Sequence, residues 1–217
     1  KGQNFTLHDR RELLQIVLEQ LQSIVPRYRA LADSGQVELS MSPYAHPIVP
    51  LLLDMESARE SMPGVHMPVI TEYPGGEARA RWHLRQGLAT FERVFGRKPV
   101  GLWPSEGGVS QQALALFAEF DFRWVASGGN VLNNSHDSAS KSCSHRVYRF
   151  GDVALDCFFR DDGLSDLIGF SYSDWHADDA VANLVGHMEN IARACPDRDD
   201  CLITIILDGE NAWEYRS

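Results

Sequence analysis

The sequence predicts an α/β fold built around a parallel sheet. Predicted helices and strands alternate in the order α-β-α-β-α-β-β-α-β, and four of the strands run into polar segments marked by proline, glycine or acidic residues. Because right-handed helical crossovers place such strands side by side in parallel, these four segments should meet at one edge of the sheet. The 217 residues are enough for a single domain with its own core, and no repeat or linker interrupts them.

Apolar residues at helical spacing predict the four longer helices of this order, and a fifth, short helix is expected at residues 48–53. The predicted helices cover residues 7–29, 48–53, 77–95, 111–120 and 177–194. Pro26 should end or kink the first helix, with a further turn to Ala32, because proline removes a backbone donor. Gly96 should end the third helix and Ser110 should cap the fourth. The apolar face of the third helix, including Trp82, is predicted to contact the core.

Short apolar runs that end in turn residues predict the strands. The predicted strands cover residues 37–42, 100–103, 123–126, 153–159 and 202–207. Pro104 ends the second strand because it cannot donate to a sheet ladder. Residues 128–145, between the third and fourth strands, are polar and long enough for a mobile lid or rim. Residues 163–172 are predicted to form a loop or a short helix.

A carboxylate side chain follows the end of two of these strands. Glu106 follows the second strand, and Asp208 follows the last one, beside Gly209. Taken alone, Glu106 is better interpreted as a solvated loop acid or a charge at a helix N-terminus. The pair favours sugar chemistry, because glycoside hydrolysis needs two carboxyl groups and the nearby Trp103 and Trp213 can pack on sugar rings.

Four motifs lie in register along the chain, at residues 36–52, 101–108, 158–170 and 207–214, and include Trp103-Pro-Ser-Glu106. Together they resemble glycoside hydrolase family 57, in its amylase and amylopullulanase-like branch. The resemblance implies a retaining, α-glucan-active enzyme on an incomplete (β/α)7 barrel that needs no metal or other cofactor. It also implies that Glu106 is the nucleophile and Asp208 the general acid/base. The residues that it places at sugar subsites are His46, Trp103, Arg160, Asp161 and Trp213.

The resemblance covers nearly the whole chain, but the family's His-Gln-Pro motif and a later motif fall outside it. We therefore expect residues 1–217 to form one partial catalytic barrel domain that lacks a flanking strand at each end. At least one open sheet edge or exposed apolar face should then be covered by the remainder of the same polypeptide or by another chain.

Several alternatives stay open at this point. The same site suits a 4-α-glucanotransferase or a branching enzyme. Because the barrel is expected to be partial, a catalytically silent glucan-binding fragment is a further alternative. A polysaccharide deacetylase ranks well behind, because its metal needs closely spaced histidines and His176 and His187 are too far apart. His46 can instead bond to loop backbone, and Arg160 can form a structural ion pair with Asp161. Asp162 and Asp166 are interpreted as loop or cap acids, and His83 and His145 as surface or loop residues.

Composition argues against several classes of binding partner. The net charge of −10 argues against nucleic acid and anionic membrane surfaces, and it suits a neutral polymer. We see neither a signal-peptide pattern nor an apolar run long enough to span a bilayer, so we expect a cytoplasmic protein. Among the four cysteines, Cys157 and Cys201 are predicted to be buried thiols within strands, while a bridge from Cys143 stays open.

Overall fold

The computed structural model of the chain describes residues 2–135, 143–149, 154–195 and 199–209. Within them a mixed α/β architecture contains a four-stranded sheet. Its strands are β1 (Gly101–Leu102), β2 (Trp124–Ser127), β3 (Tyr148–Arg149) and β4 (Asp156–Phe159), in the spatial order β1-β2-β4-β3. β1, β2 and β4 are parallel, as predicted, whereas β3 is an unpredicted edge strand that pairs antiparallel with β4.

Two predicted strands do not form ladders. Residues 37–42 contribute a single parallel bridge at Met41, whose N–H donates to Gly101 and whose carbonyl accepts from Trp103. Residues 202–207 join no strand, although the carbonyl of Thr204 accepts from the backbone N–H of Asp161 at 2.8 Å. Both segments therefore lie against the sheet by isolated bonds, and an apolar sequence run cannot distinguish this state from a paired strand.

Eight α-helices surround the sheet in the described residues. They are α1 (Leu7–Asp33), α2 (Val49–Leu53), α3 (Ala58–Ser61), α4 (Gly76–Phe95), α5 (Gln111–Glu119), α6 (Gly129–Ser135), α7 (Asp162–Asp166) and α8 (Ala177–Ala194). The side chain of Ser110 accepts from Ala113 N–H, which confirms the predicted cap of α5.

Two helical segments differ from expectation. Helix α1 continues through Pro26 to Asp33, one residue beyond the predicted further turn to Ala32, so the proline does not end the helix. Helix α6 occupies the first part of the segment predicted to be a polar lid, and residues 136–142 of that segment lie outside the described residues. Shorter helical turns cover Met55–Ser57, Ser105–Gly107, Leu167–Ser171 and Tyr172–Asp174.

The core lies between the sheet and helices α4 and α5. Its largest fully buried apolar side chains are those of Leu84, Leu102, Phe117, Val125 and Leu155. Burial of side chains of this size contributes roughly 1.5–3 kcal/mol each. On α4 the buried positions are Gly76, Ala80, Leu84, Gly87 and Phe91, which lie three or four residues apart on one helix face.

Trp82 is not a core residue, so that prediction is wrong. It falls between the buried positions of α4 rather than on their face, and it is 48% exposed. Its ring instead lies edge-on to Tyr44, with the two ring centroids 5.8 Å apart. An amphipathic pattern assigns a face to a helix, but a large aromatic at the boundary of that face can turn outward.

Helix α1 carries the exposed apolar face that the sequence predicted for part of the molecule. Residues on this helix that are 37–67% exposed include Leu13, Leu14, Val17, Leu18, Leu21, Ile24 and Val25. Within the described residues, no helix combines the length and the apolar character needed to cross a bilayer.

The cysteines differ partly from expectation. Cys157 is a buried free thiol on β4, as predicted, and Cys143 is also free. Cys201 is not a buried thiol in a strand, because it forms a disulfide with Cys195 at the end of α8. This bridge closes a short loop, which the sequence spacing did not reveal.

Candidate active site

The carboxyl ends of the parallel strands meet at one edge of the sheet. Ser127, the last residue of β2, donates its hydroxyl to the carbonyl of Gly107 at 2.6 Å. The carbonyl of Ser127 in turn accepts from the backbone N–H of Arg160, directly after β4, at 2.9 Å. The segments that follow β1, β2 and β4 are therefore in direct contact.

A cavity of about 530 Å³ opens at this edge. It is lined by Ser40, Trp103, Trp124, Ala126, Phe158, Thr204, Ile206, Leu207, Asp208 and Gly209. Trp103, from the end of β1, thus shares a cavity with Asp208, from the far end of the described chain. Glu106 lies three residues beyond Trp103 at the same edge. A second cavity of about 250 Å³ lies between α5, α6 and the sheet, and none of the predicted site residues lines it.

Glu106 faces His46. Nε2 of His46 lies 3.1 Å from Oε1 of Glu106, and the two side chains are 52% and 76% exposed. The His46 backbone N–H separately donates to Pro43, so the loop-backbone bond considered for this residue is made by its main chain and not by its ring. The contact joins the segment after Met41 to the segment after β1.

The backbone is strained on both sides of this contact. Ala45, His46 and Glu106 have φ values of 58°, 57° and 57°, in the left-handed region that residues with a side chain seldom occupy. Such a residue costs on the order of 1–3 kcal/mol and persists only where the surroundings impose it. Strain of this kind concentrates at functional sites, and here it coincides with the predicted nucleophile and its histidine neighbour.

The loop that carries His46 is anchored by His83 on α4. Nδ1 of His83 lies 2.6 Å from the carbonyl oxygen of Tyr44, and the N–H of Tyr44 donates to the carbonyl of His83 at 3.2 Å. The sequence predicted only a surface or loop position for His83. Only the packing of α4 against this loop reveals its contact.

Both carboxylate oxygens of Asp161 have hydrogen-bond partners within the protein. Its Oδ1 accepts from the N–H of Leu164 at 2.8 Å, which caps α7, and its Oδ2 lies 2.8 Å from Nε2 of His145. Its side chain is only 14% exposed. The subsite role of Asp161 stays a prediction. His145, which sequence analysis assigned to the surface, is its partly buried partner, and no sequence signal links the two.

Among the described residues, the side chain of Arg160 makes three hydrogen bonds, none of them to Asp161. Its Nε donates to the carbonyl of Ile206 at 2.9 Å, and its terminal nitrogens donate to Asp162 at 2.9 Å and to Asp166 at 2.6 Å. The structural ion pair considered for Arg160 therefore exists, but with different partners from the one expected. Asp162 and Asp166, interpreted as loop or cap acids, are those partners.

The remaining predicted features lie partly outside the described residues. Trp213, the tryptophan expected near Asp208, lies outside the described residues. Among the described residues no group of three histidine, cysteine or acidic side chains is placed to hold a metal ion.

The arrangement defines a class of protein: a partial parallel α/β barrel with carboxylates, a histidine and a tryptophan gathered beyond the strand ends. The sequence profile of Glycosyl hydrolase family 57 matches residues 1–217, and the chain belongs to this family. No curated protein matches the sequence.

Solved structures share the fold. A GH57-type branching enzyme from Pyrococcus horikoshii is 16% identical with a TM-score of 0.63, and the match covers 92% of this chain and 43% of that one. A GH57 branching enzyme from Thermococcus kodakaraensis is 15% identical with a TM-score of 0.60, covering 96% of this chain and 46% of that one. A 4-α-glucanotransferase from Thermococcus litoralis is 16% identical with a TM-score of 0.58, covering 94% and 28%. The chain thus spans less than half the length of each of these proteins.

Proposed function

We propose that this chain carries a retaining, α-glucan-active glycosidase site of the α-amylase or amylopullulanase type. The observation that supports it is the convergence of two features at one edge of the sheet. One is the contact between His46 and Glu106 on strained backbone, and the other is the cavity shared by Trp103 and Asp208. Family membership supplies the context for interpreting this convergence as sugar chemistry.

The proposed reaction is a double displacement. The ionised carboxylate of Glu106 attacks the anomeric carbon, while the protonated carboxyl of Asp208 gives its proton to the leaving glycosidic oxygen. A glycosyl ester on Glu106 results. Asp208, now ionised, takes a proton from the incoming acceptor, which displaces the ester and restores both groups.

Sugar contacts are assigned by position. His46, in hydrogen-bond reach of Glu106, is suited to bind a hydroxyl of the sugar that reacts there. Trp103 offers an aromatic face to a ring in the cavity, and Trp213 is proposed for the same role. Arg160 and Asp161 were assigned to subsites by resemblance, but their bonds within the protein leave less of each side chain for a sugar.

The acceptor decides between two activities on the same site. With water the ester is hydrolysed, and with a sugar hydroxyl the glycosyl group is transferred, as in a 4-α-glucanotransferase or branching enzyme. How far the complete cleft excludes water governs this choice. We also propose that the remainder of the same polypeptide or another chain covers the apolar face of α1. A cytoplasmic location stays a prediction.

The test is the activity of the full-length protein on a chromogenic α-maltooligosaccharide and on a longer α-glucan. Release of chromophore and short sugars supports hydrolysis, and redistribution of chain length supports transfer. Binding of the glucan with no turnover of either substrate would contradict the proposal and would identify a silent glucan-binding domain.

A further inference from the structure

The segment that carries Asp208 is held to the sheet without a β-ladder. Residues 202–207 belong to no strand, yet they run beside the end of β4, where Asp161 N–H donates to Thr204. Buried peptide groups need partners, and a neighbouring strand normally supplies them. At Ile206 side chains supply them instead.

Both peptide groups of Ile206 are bonded to side chains from one short segment. The carbonyl of Ile206 accepts from Nε of Arg160 at 2.9 Å, and its N–H donates to the hydroxyl of Ser165 at 3.2 Å. Ser165 is completely buried, and the Arg160 side chain is 19% exposed. Neither side chain is therefore free to move away from Ile206 without rearranging α7.

Arg160 is itself fixed in place. Its terminal nitrogens bond to Asp162 and Asp166 on α7, so the guanidinium is held on two sides while its Nε points at Ile206. A guanidinium presents its donors in a rigid planar fork, which makes it suited to holding a carbonyl and two carboxylates at once. The ammonium of lysine cannot reproduce that geometry.

Ile206 lies two residues before Asp208, and both residues line the same cavity, together with Leu207 between them. Two peptide units limit how far Asp208 can move from Ile206, so a fixed Ile206 restricts the position of Asp208. We propose that Arg160 and Ser165 are positioning residues for Asp208, acting through the peptide groups of Ile206. This inference rests on the proposed function, since it assumes that Asp208 is the general acid/base.

A displaced Asp208 should affect some substrates more than others. Displacement of a catalytic group by about 1 Å can lower a rate by roughly a hundredfold. A displaced Asp208 delivers its proton poorly, which matters for a poor leaving group and little for one that departs without protonation. Loss of Arg160 or Ser165 should therefore lower kcat/KM unequally for the two kinds of substrate. General destabilisation of the protein would lower kcat/KM equally for both.

The test compares kcat/KM of the full-length protein for an aryl α-maltooligoside with an activated leaving group and for an unactivated α-glucan. For Arg160→Met and Ser165→Ala we expect roughly a 10–100-fold loss on the unactivated substrate and less than about a threefold loss on the activated one. The ratio of the two constants is independent of the folded fraction, so it stays informative if a variant is unstable. Arg160→Lys should recover only part of the lost ratio.

Arg149→Met is the matched control. It breaks another Arg–Asp pair, in which Arg149 on β3 lies 2.8 Å from Asp156 at the start of β4, the end of that strand opposite to Arg160. The ratio should stay at the wild-type value in this variant. Equal losses on both substrates in Arg160→Met and Ser165→Ala, with an active wild type, would overturn the positioning role alone. A wild type inactive on both substrates would overturn the proposed function and this inference with it.

Discussion

Trp103, directly after β1, and Asp208, near the far end of the described chain, line the same cavity. The parallel pairing of β1, β2 and β4 places the segment after β1 and the segment around Arg160 at one edge, and Arg160 binds the segment that leads to Asp208. An aromatic face and a carboxyl group therefore meet in one cavity, as the proposed sugar site requires.

Asp208→Asn should lose activity according to the leaving group. We expect kcat/KM on an unactivated α-glucan to fall by roughly 10²–10⁴, the usual contribution of a general acid, and to fall far less on an activated aryl glycoside. Azide should partly rescue Asp208→Ala on the activated substrate, because a small anion can attack the ester without a general base. Equal losses on both substrates would argue against the acid/base role.

Glu106→Gln should abolish turnover while leaving glucan affinity nearly unchanged. The amide keeps the size of the carboxylate but cannot act as the nucleophile. Steady-state rates and isothermal titration with a maltooligosaccharide measure the two properties. Glu92→Gln, at an exposed position on α4, serves as the control and should retain full activity. Appreciable turnover by Glu106→Gln would remove Glu106 from the nucleophile position.

The first product released from an α-glucan should be the α-anomer. Double displacement inverts the anomeric carbon twice, and it requires the two carboxyl groups to lie roughly 5–5.5 Å apart, against about 6.5–9.5 Å for a single displacement. Proton NMR of the full-length enzyme, recorded before mutarotation, distinguishes the two. An initial β-anomer would mean inversion and would exclude the glycosyl ester on Glu106.

Gly76→Ala should destabilise the protein by about 2 kcal/mol or more. A Cβ at Gly76 would overlap the carbonyl of Leu52, so α2 and α4 would have to separate. Gly186 of α8 has no atom within 4 Å of the corresponding position. Gly186→Ala should therefore stabilise by up to about 1 kcal/mol, since alanine favours helix. Urea unfolding of both variants tests the contrast, and a stable Gly76→Ala would argue against this close approach.

The Cys157 thiol should resist alkylation at pH 8. Burial, assisted by the neighbouring Asp156 carboxylate, raises the pKa of Cys157 to about 11, so little of the reactive thiolate exists at that pH. Cys143 is only partly buried and should be labelled first by iodoacetamide under native conditions, as followed by peptide mass spectrometry. Labelling of Cys157 as fast as Cys143 would mean that β4 is open to solvent.

The sequence predicted the longer helices well because each carries its own local signal. Helix α8 has the predicted bounds, and α5 begins at its predicted serine cap. The strands were predicted less well. Residues 37–42 and 202–207 have the apolar runs of strands, but they do not pair with a neighbouring strand along their length. Strand pairing depends on what lies alongside, which local composition does not record.

The motifs around Glu106 and Asp208 were visible in the sequence because each motif lies within one short stretch of chain. The contacts of His83 with Tyr44, of His145 with Asp161 and of Arg160 with Ile206 were not. Each joins segments that are distant in sequence, and its geometry exists only after the helices have packed on the sheet. The sequence by itself determined the family, the parallel α/β order and the candidate carboxylates. Tertiary structure alone decided which side chains hold those carboxylates, because hydrogen bonds form according to distance in space and not position in the chain.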